Sequence, residues 1–281
     1  MYKKPAAART NLTSTRVQIH EDEYIGHGSF RTVCRGTYLN GNRNGQAAVC
    51  KRFHKRYRDT EYERVLFDKD ELITAKAIDM ASEWNNFCPK GREITINCGY
   101  QVEHTSYHGE AVTFLVEPLI RDFVKYTSNN GWINRGATSA MEIKVAEAFC
   151  HYTYHRSGGS LIVADIQGRF KKKSGGGRTG QYSRFEYTDL AICSRNRHYG
   201  PSDMGAKGIE SFFANHVCNE FCSQSGRWSA PRDPQSWFDA DPSTSMMSSD
   251  MDVYLGLRTN ARFRNVGGML QIDEGDENSD Y

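Results

Sequence analysis

Three groups of residues in this chain could do chemistry. The first is the run Leu161-Ile162-Val163-Ala164-Asp165-Ile166-Gln167-Gly168, too short for a helix and closing on a carboxylate, an amide and a glycine. Burying a bare carboxylate there costs several kcal/mol, on the order of what a bound cation offsets. Asp165 and Gln167 lie two apart, and on a strand that spacing turns both to one face. An oxygen-rich pair of this kind suits Mg²⁺, which takes hard ligands and keeps phosphate oxygens in its shell. The competing reading makes Asp165 a turn cap ahead of Gly168, and this segment alone leaves both open.

The second group is Gly26-His27-Gly28-Ser29-Phe30-Arg31, followed by a strand pattern and Lys51. A glycine-containing hairpin can cover a triphosphate while a lysine on a neighbouring strand neutralises the α- and β-phosphates. In Ala48-Val49-Cys50-Lys51-Arg52-Phe53, alternation puts Val49, Lys51 and Phe53 on one face. An amine on an apolar face needs an anion, although a solitary lysine there is better explained by snorkelling at a strand edge. The third group is His216-Val217-Cys218-Asn219-Glu220-Phe221-Cys222 with His151 upstream. On a helix Cys218 and Cys222 share a face, and two His with two Cys complete a closed tetrahedral shell for a structural Zn²⁺. His216 does not share that face on a regular helix, so this reading demands an irregular turn between His216 and Cys218. Two core cysteines beside an unrelated histidine are the alternative.

These groups need elements to position them. Strand patterns at 31–38 and 46–53 flank the Asn/Gly-rich turn 40–45, which predicts a hairpin. Apolar residues Tyr62, Val65, Leu66, Leu72, Ile73, Ala77, Met80, Ala81 and Trp84 recur at three- and four-residue steps and predict one long helix over 60–84. Strands follow at 93–103 and 111–120, a helix at 139–154, the short strand 161–166 and a third helix at 207–222. Residues 168–184, rich in Gly, Lys, Arg and Ser, read as an exposed loop whose Lys171, Lys172, Lys173 and Arg178 could attract an acidic substrate. Strands with one helix first, then mostly helices around a strand pair, predict an α+β molecule of two lobes with a cleft between them.

At 281 residues, 38% apolar and 25% charged, the chain has the composition of an ordinary folding protein. A formal charge of +2 gives no net field that favours nucleic acid as a partner, and no stretch reaches bilayer-spanning length. Lys3, Lys4, Arg9 and Arg16 mark residues 1–18 as a flexible basic arm without the apolar centre of a secretory signal. Beyond Arg227 the chain turns to Pro, Ser, Asp and Met, a tail over 227–281 in which Ser243, Thr244, Ser245, Ser248 and Ser249 are candidate phosphoacceptors. Of eight cysteines only Cys218 and Cys222 look paired, which predicts a reduced, intracellular and cytoplasmic protein.

The ordered set Ala148-Phe149-Cys150-His151-Tyr152-Thr153-Tyr154, then 161–168, then Gly205-x-x-Gly208-Ile209-x-x-Phe212-Phe213-x-x-His216-x-Cys218-Asn219-x-x-Cys222 resembles the alpha-kinases. That group includes the myosin heavy-chain kinases, the kinase of translation elongation factor 2 and kinase domains fused to certain ion channels. Gly28-Ser29-Phe30-Arg31, Val49-Cys50-Lys51, Val116-Glu117-Pro118, Phe123-Val124-Lys125-Tyr126 and Asn129-Asn130-Gly131 add to the likeness, which covers about residues 20–226. The resemblance implies a two-lobed protein-kinase-like fold with an interlobe ATP cleft, lobes at about 19–117 and 118–226, and a structural Zn²⁺ in the C-terminal lobe.

It also implies roles. Gly28 and Ser29 would cover the nucleotide, Lys51 would meet its phosphates, and Glu117 would sit beside the adenine through its backbone. Gln167 and Asp189 would hold Mg²⁺, with Asp189 near the acceptor hydroxyl. Asp165 would be the general base in competition with Asp189, and His151, His216, Cys218 and Cys222 would bind the Zn²⁺. The implied reaction moves the γ-phosphate of ATP onto Thr or Ser of a protein substrate, with a preference for Thr. Asp203-Met204-Gly205 stands where the family has an Asn-x-Gly entry to its glycine loop, which leaves open what Asp203, Gly205 and Gly208 contact. Two other readings compete: an inactive kinase-like scaffold that binds zinc and nucleotide, and a zinc-dependent interaction module.

Overall fold

A computed structural model describes residues 13–28, 30–58, 60–136, 140–172, 183–222 and 228–246. The first lobe is an antiparallel five-stranded sheet made of β1 (Val17–His27), β2 (Arg31–Tyr38), β3 (Ala47–Phe53), β5 (Tyr100–Thr105) and β6 (Ala111–Pro118). Its strand order is β1-β2-β3-β6-β5. The alternation read from the sequence holds along β3. Ala48 and Cys50 pack with Ile19, Cys34, Tyr38, Val112, Phe114 and Val116 on one face. Phe53, two residues beyond Lys51, packs on the other with Tyr57, Leu66 and Phe67.

Helix α1 (Thr60–Asn85) ties the lobes together. Its early residues Leu66 and Phe67 belong to the Phe53 cluster. Its later residues Ile73, Ala77, Ile78, Met80, Ala81 and Trp84 enter the large core of the second lobe, where Phe149, Tyr187, Ile192 and Phe212 are buried. The second lobe holds a four-stranded sheet in the order β4-β10-β9-β7, from β4 (Glu93–Ile96), β7 (Val124–Lys125), β9 (Gln167–Lys171) and β10 (Arg184–Thr188). It also holds an antiparallel ribbon of β8 (Leu161–Ala164) and β11 (Ala191–Ser194), every residue of which is buried. Helices α2 (Ala140–Arg156) and α3 (Gly205–Asn215) complete it. Among the described residues no helix is long and apolar enough to cross a membrane.

Four expectations need correction. The single strand over 93–103 is two, because the chain changes sheets between β4 and β5: Asn97 N donates to Tyr187 O at 2.7 Å and its side chain donates to Pro118 O at 3.2 Å. Part of the stretch read as a loop over 168–184 is the antiparallel pair β9–β10, in which Arg169 grips Glu186 at 2.6 Å. Residues 173–182, including Lys173 and Arg178, lie outside the described residues. The third helix ends at Asn215 rather than continuing to Cys222, because His216 turns extended (φ −78°, ψ 132°). The region read as a basic arm is already structured from Thr13, with Arg16 N donating to Asn40 Oδ1 at 2.9 Å. Residues 1–12 of that arm, residues 223–227, and residues 247–281 of the tail with Ser248 and Ser249, lie outside the described residues.

Candidate active site

Lys51 is brought from the middle of β3 to the cleft and is only 5% exposed. Its Nζ lies 3.0 Å from Glu117 Oε2 on the neighbouring strand β6 and 2.5 Å from Asp189 Oδ1 in the second lobe. Glu117 is held from three sides, since Thr188 Oγ1 donates to the same oxygen at 2.7 Å and Asn97 Nδ2 at 3.4 Å. Burial works against the charge on Lys51, yet Asp189 and Glu117 outweigh it and keep the amine above the ordinary lysine pKa. Burial raises the Glu117 carboxyl against the pull of Lys51. For Asp189 burial also pushes upward, but Lys51, Arg31 and Lys125 hold the carboxyl below its ordinary range.

Asp165 follows β8 and Asp189 precedes β11, so both acids leave the same end of the buried ribbon. Both have left-handed backbone, φ 57° and φ 50°, a conformation that costs a non-glycine residue free energy and collects at functional sites. Asp165 is therefore not on a strand with Gln167, and the shared face expected of that pair does not arise. Gln167 instead opens β9 and donates its Nε2 to the Asp189 carbonyl at 2.7 Å. Gly168, next in line, has φ 144°, and a Cβ there would come 2.0 Å from Glu186 O across the strand pair. Only glycine allows β9 to lie that close to β10.

The Asp165 carboxylate is 2% exposed and pairs with Lys125 Nζ at 2.7 Å. Burial lifts its pKa and Lys125 opposes the lift. The structure thus adds residues that motif reading did not assign a role: Lys125, Thr188 and Asn97. It also adds Arg31, which binds Asp70 of α1 and lines the cleft with Asp70, Thr74, Asn97, Glu117 and Asp189. Lys125 stood in a recognised motif, but only the fold places it against Asp165. Gly28 N donates to Arg31 O at 2.9 Å in the turn between β1 and β2, whereas Ser29 lies outside the described residues.

The Asp203 carboxylate is engaged by neighbouring parts of the chain. Its Oδ1 accepts from Ser194 N at 2.7 Å and Gly205 N at 3.0 Å, and its Oδ2 accepts from Ser194 Oγ at 2.5 Å and Tyr199 N at 3.1 Å. This fastens the start of α3 to the end of β11. A Cβ on Gly208 would lie 2.6 Å from Cys193 Sγ, so that glycine lets α3 close onto the ribbon.

A second cluster lies behind the cleft. His151 on α2, His216 just past α3, Cys218 and Cys222 bring one donor atom each to within 4.8 Å of one another. His151 Nδ1 and His216 Nε2 are 3.2 Å apart, Cys218 Sγ is 3.6 Å from the first and Cys222 Sγ 3.6 Å from the second. A tetrahedral shell with metal–nitrogen bonds near 2.0 Å and metal–sulfur bonds near 2.3 Å has edges of roughly 3.3 and 3.6 Å. The cluster forms because the helix stops: the two cysteines approach from an irregular segment, not from a helical face. His216 Nδ1 meets the buried Glu147 carboxylate at 3.1 Å, which orients the ring. Burial and the neighbouring His216 hold the His151 pKa down to about 4, so the ring is neutral and able to donate.

Comparison with known proteins points to one family. Residues 26–222 match the model of the alpha-kinase family. The eukaryotic elongation factor 2 kinase of Caenorhabditis elegans is 28% identical over 207 residues, covering 73% of this chain and 24% of that protein. Alpha-protein kinase vwkA of Dictyostelium discoideum is 30% identical over 209 residues, covering 72% of this chain and 30% of that one. The chain thus spans about a quarter to a third of the length of these relatives. The crystal structure of the alpha-kinase domain of myosin heavy chain kinase A with AMP superposes with a TM-score of 0.58 at 21% identity, covering 74% of this chain and 89% of that one. An inactive aspartate-to-alanine form of that domain complexed with ATP gives the same TM-score of 0.58. Fold, cleft and family model coincide over the same residues, and the chain belongs to the alpha-kinase family, a family of protein kinases.

Proposed function

We propose that this chain transfers the γ-phosphate of ATP to a threonine or serine hydroxyl of a protein substrate. The observation that carries the reading is the convergence of Lys51 with Glu117 and Asp189 across the cleft, beside the buried Asp165. An amine between two carboxylates is fixed in place by Glu117 and is positioned to exchange Asp189 for the α- and β-phosphates of a nucleotide. Gln167 and Asp189 supply hard oxygens for Mg²⁺, which neutralises the charge on the phosphates when bound. The Gln167 amide nitrogen is already engaged with Asp189 O, leaving its oxygen as the donor. The backbone of Glu117 is assigned to the adenine, and Gly28 and Ser29 to covering the phosphates.

Asp165 takes the proton from the acceptor hydroxyl. Its burial raises its affinity for that proton, and Lys125 opposes the rise. Thr in preference to Ser as acceptor, and a reduced, cytoplasmic setting, remain part of this reading. Zn²⁺ in the His151, His216, Cys218 and Cys222 cluster is structural, since four protein donors leave no position for a reactant. The inactive-scaffold reading is not favoured, because the cationic and acidic groups needed for transfer stand together.

The test is phosphate incorporation into a peptide array by zinc-loaded protein with MgATP. Transfer to Thr or Ser peptides that is lost in Lys51→Ala supports the assignment. Undiminished transfer by Lys51→Ala overturns the role of the lysine.

A further inference from the structure

Cys34 on β2 and Cys50 on β3 stand directly opposite each other across an antiparallel strand pair. Both belong to the core of the first lobe with Ile19, Tyr38, Phe114 and Val116, and they are 5% and 0% exposed. A Cβ on Gly36, two residues beyond Cys34 on the same strand, would come 2.6 Å from Cys50 Sγ, so glycine leaves the room that this sulfur occupies. A hydrogen bond from Cys50 holds the Cys34 thiol below its ordinary pKa; burial opposes it, Arg52 assists, and Glu21 and Asp22 oppose. The same bond, together with burial, raises Cys50. One thiol is thus eased toward the thiolate while its neighbour keeps the proton.

The strand beside Cys34 is interrupted. In the β1–β2 ladder His20 lies opposite Arg35 and Tyr24 opposite Cys34, so Glu21, Asp22 and Glu23 loop out opposite no residue of β2. Such a bulge breaks the ladder at the edge of the sheet and gives a small solute access to the sulfur behind it. Glu21 of the bulge is tied to Arg52 at 3.0 Å, and Arg52 lies two residues past Cys50. Core packing alone asks for two buried sulfurs. It does not ask that they face each other across paired strands beneath a break in the sheet.

We propose that Cys34 and Cys50 are a reversible oxidation site, converted by hydrogen peroxide to a cross-strand disulfide that disturbs Lys51. The Cys34 thiolate attacks one peroxide oxygen, the O–O bond breaks, and the other oxygen leaves as hydroxide and takes up the proton that Cys34 gave, forming water. The sulfur of Cys50 then attacks the Cys34 sulfenic acid, the S–O bond breaks, and the hydroxyl leaves with the Cys50 proton as a second water. Two thiols lose two electrons and two protons while one peroxide becomes two waters.

Opposed residues on antiparallel strands have Cβ atoms roughly 4.5–5.5 Å apart, and a disulfide needs about 3.8 Å, so the bond draws β2 and β3 together by about 1 Å. Lys51 follows Cys50 directly, and its Nζ meets Glu117 at 3.0 Å and Asp189 at 2.5 Å. Contacts of that length do not absorb such a shift. The effect on activity rests on the kinase reading above, whereas the disulfide itself does not. In a reducing compartment the bond is transient, and a thiol reductant reopens it.

The experiment treats the zinc-loaded full chain with hydrogen peroxide, blocks the remaining thiols with N-ethylmaleimide in denaturant, and maps linked peptides by mass spectrometry without reduction. The expected result is a Cys34–Cys50 linkage that dithiothreitol removes. Peptide phosphorylation with MgATP should fall by about 10- to 100-fold in the same sample, the scale on which an ångström of misplacement acts, and return with the reductant. Cys34→Ala and Cys50→Ala should each transfer phosphate normally and resist peroxide. Cys34 and Cys50 recovered unlinked, or linkage confined to Cys218 and Cys222, overturns the site. Linkage that leaves activity unchanged, or inactivation that Cys50→Ala does not prevent, overturns the effect on Lys51. Reduced protein that transfers no phosphate at all sinks the kinase reading instead, and the peptide map still decides the oxidation site.

Discussion

Lys51 and Glu117 are 66 residues apart in the chain and 3.0 Å apart in the fold, buried side by side on adjacent strands. The pair sets the position of the amine, and it makes the stability of the first lobe depend on a group to which the proposed function gives a catalytic role.

Lys51→Met should lower turnover by about 10²–10³-fold and destabilise the fold by about 3–5 kcal/mol, because Glu117 is left buried without its counter-charge. Adding Glu117→Gln should restore most of the melting temperature and none of the activity. Thermal melts and peptide assays on the single and double variants separate the two effects, and a double variant as unstable as the single one would sink the explanation.

Asp165→Asn should abolish transfer while MgATP still raises the melting temperature, since the role proposed for the residue is toward the acceptor hydroxyl rather than the phosphates. The acid limb of the rate profile reports the same group. Burial places its folded pKa above the ordinary carboxylate value, and a base works only when deprotonated, so kcat/KM falls as pH drops through that raised pKa. Lys125→Met removes the charge that opposes the rise, and the limb should move to higher pH. A limb that stays in place or moves downward contradicts the assignment.

Dialysis against a strong chelator should release one zinc per chain and lower the melting temperature, because a closed metal shell contributes folding free energy. Trp228 offers a local readout, with its ring 5.4 Å from that of His151. Its fluorescence should change with metal release, and Cys222→Ser should reproduce the loss. Elemental analysis finding no metal in protein whose melting is insensitive to chelator tells against the site.

Asp203→Asn should cost about 1–3 kcal/mol. Each carboxylate oxygen accepts from two donors, so two of the four would then face an amide NH₂, and at least one buried bond near the start of α3 would go unmade even with the Ser194 hydroxyl turned to accept. For a domain of this size that is a fall of several degrees in melting temperature. Unchanged melting would show that the asparagine expected at this position serves equally well.

The sequence revealed whatever is periodic or local. The step of α1, the alternation of β3 that turns Lys51 away from Cys50, and the Asp165 to Gly168 run all come from contacts within a few residues. It did not reveal what Lys51 touches, because Asp189 lies 138 residues away and no local period records that distance. The same limit hid Lys125 on Asp165 and Thr244 beside them, whose neighbours in sequence look like a plain strand and a polar tail. The break of α3 at His216 was legible in part, as the irregular turn that the zinc reading demands between His216 and Cys218. The spacing of Cys218 and Cys222 fits a helix, and only the requirement that His216 join them decides against it.

The buried ribbon of β8 and β11 has a consequence for motion. Asp165 and Asp189 are fastened to the same end of one dry, two-stranded block, whereas Lys51 and Glu117 ride on the other sheet. Were the lobes to part, the two acids would travel as one piece while the Lys51–Asp189 and Thr188–Glu117 contacts stretched. Gaping of the cleft therefore sets how far the cation stands from the acid pair without altering the backbone spacing of the acids themselves.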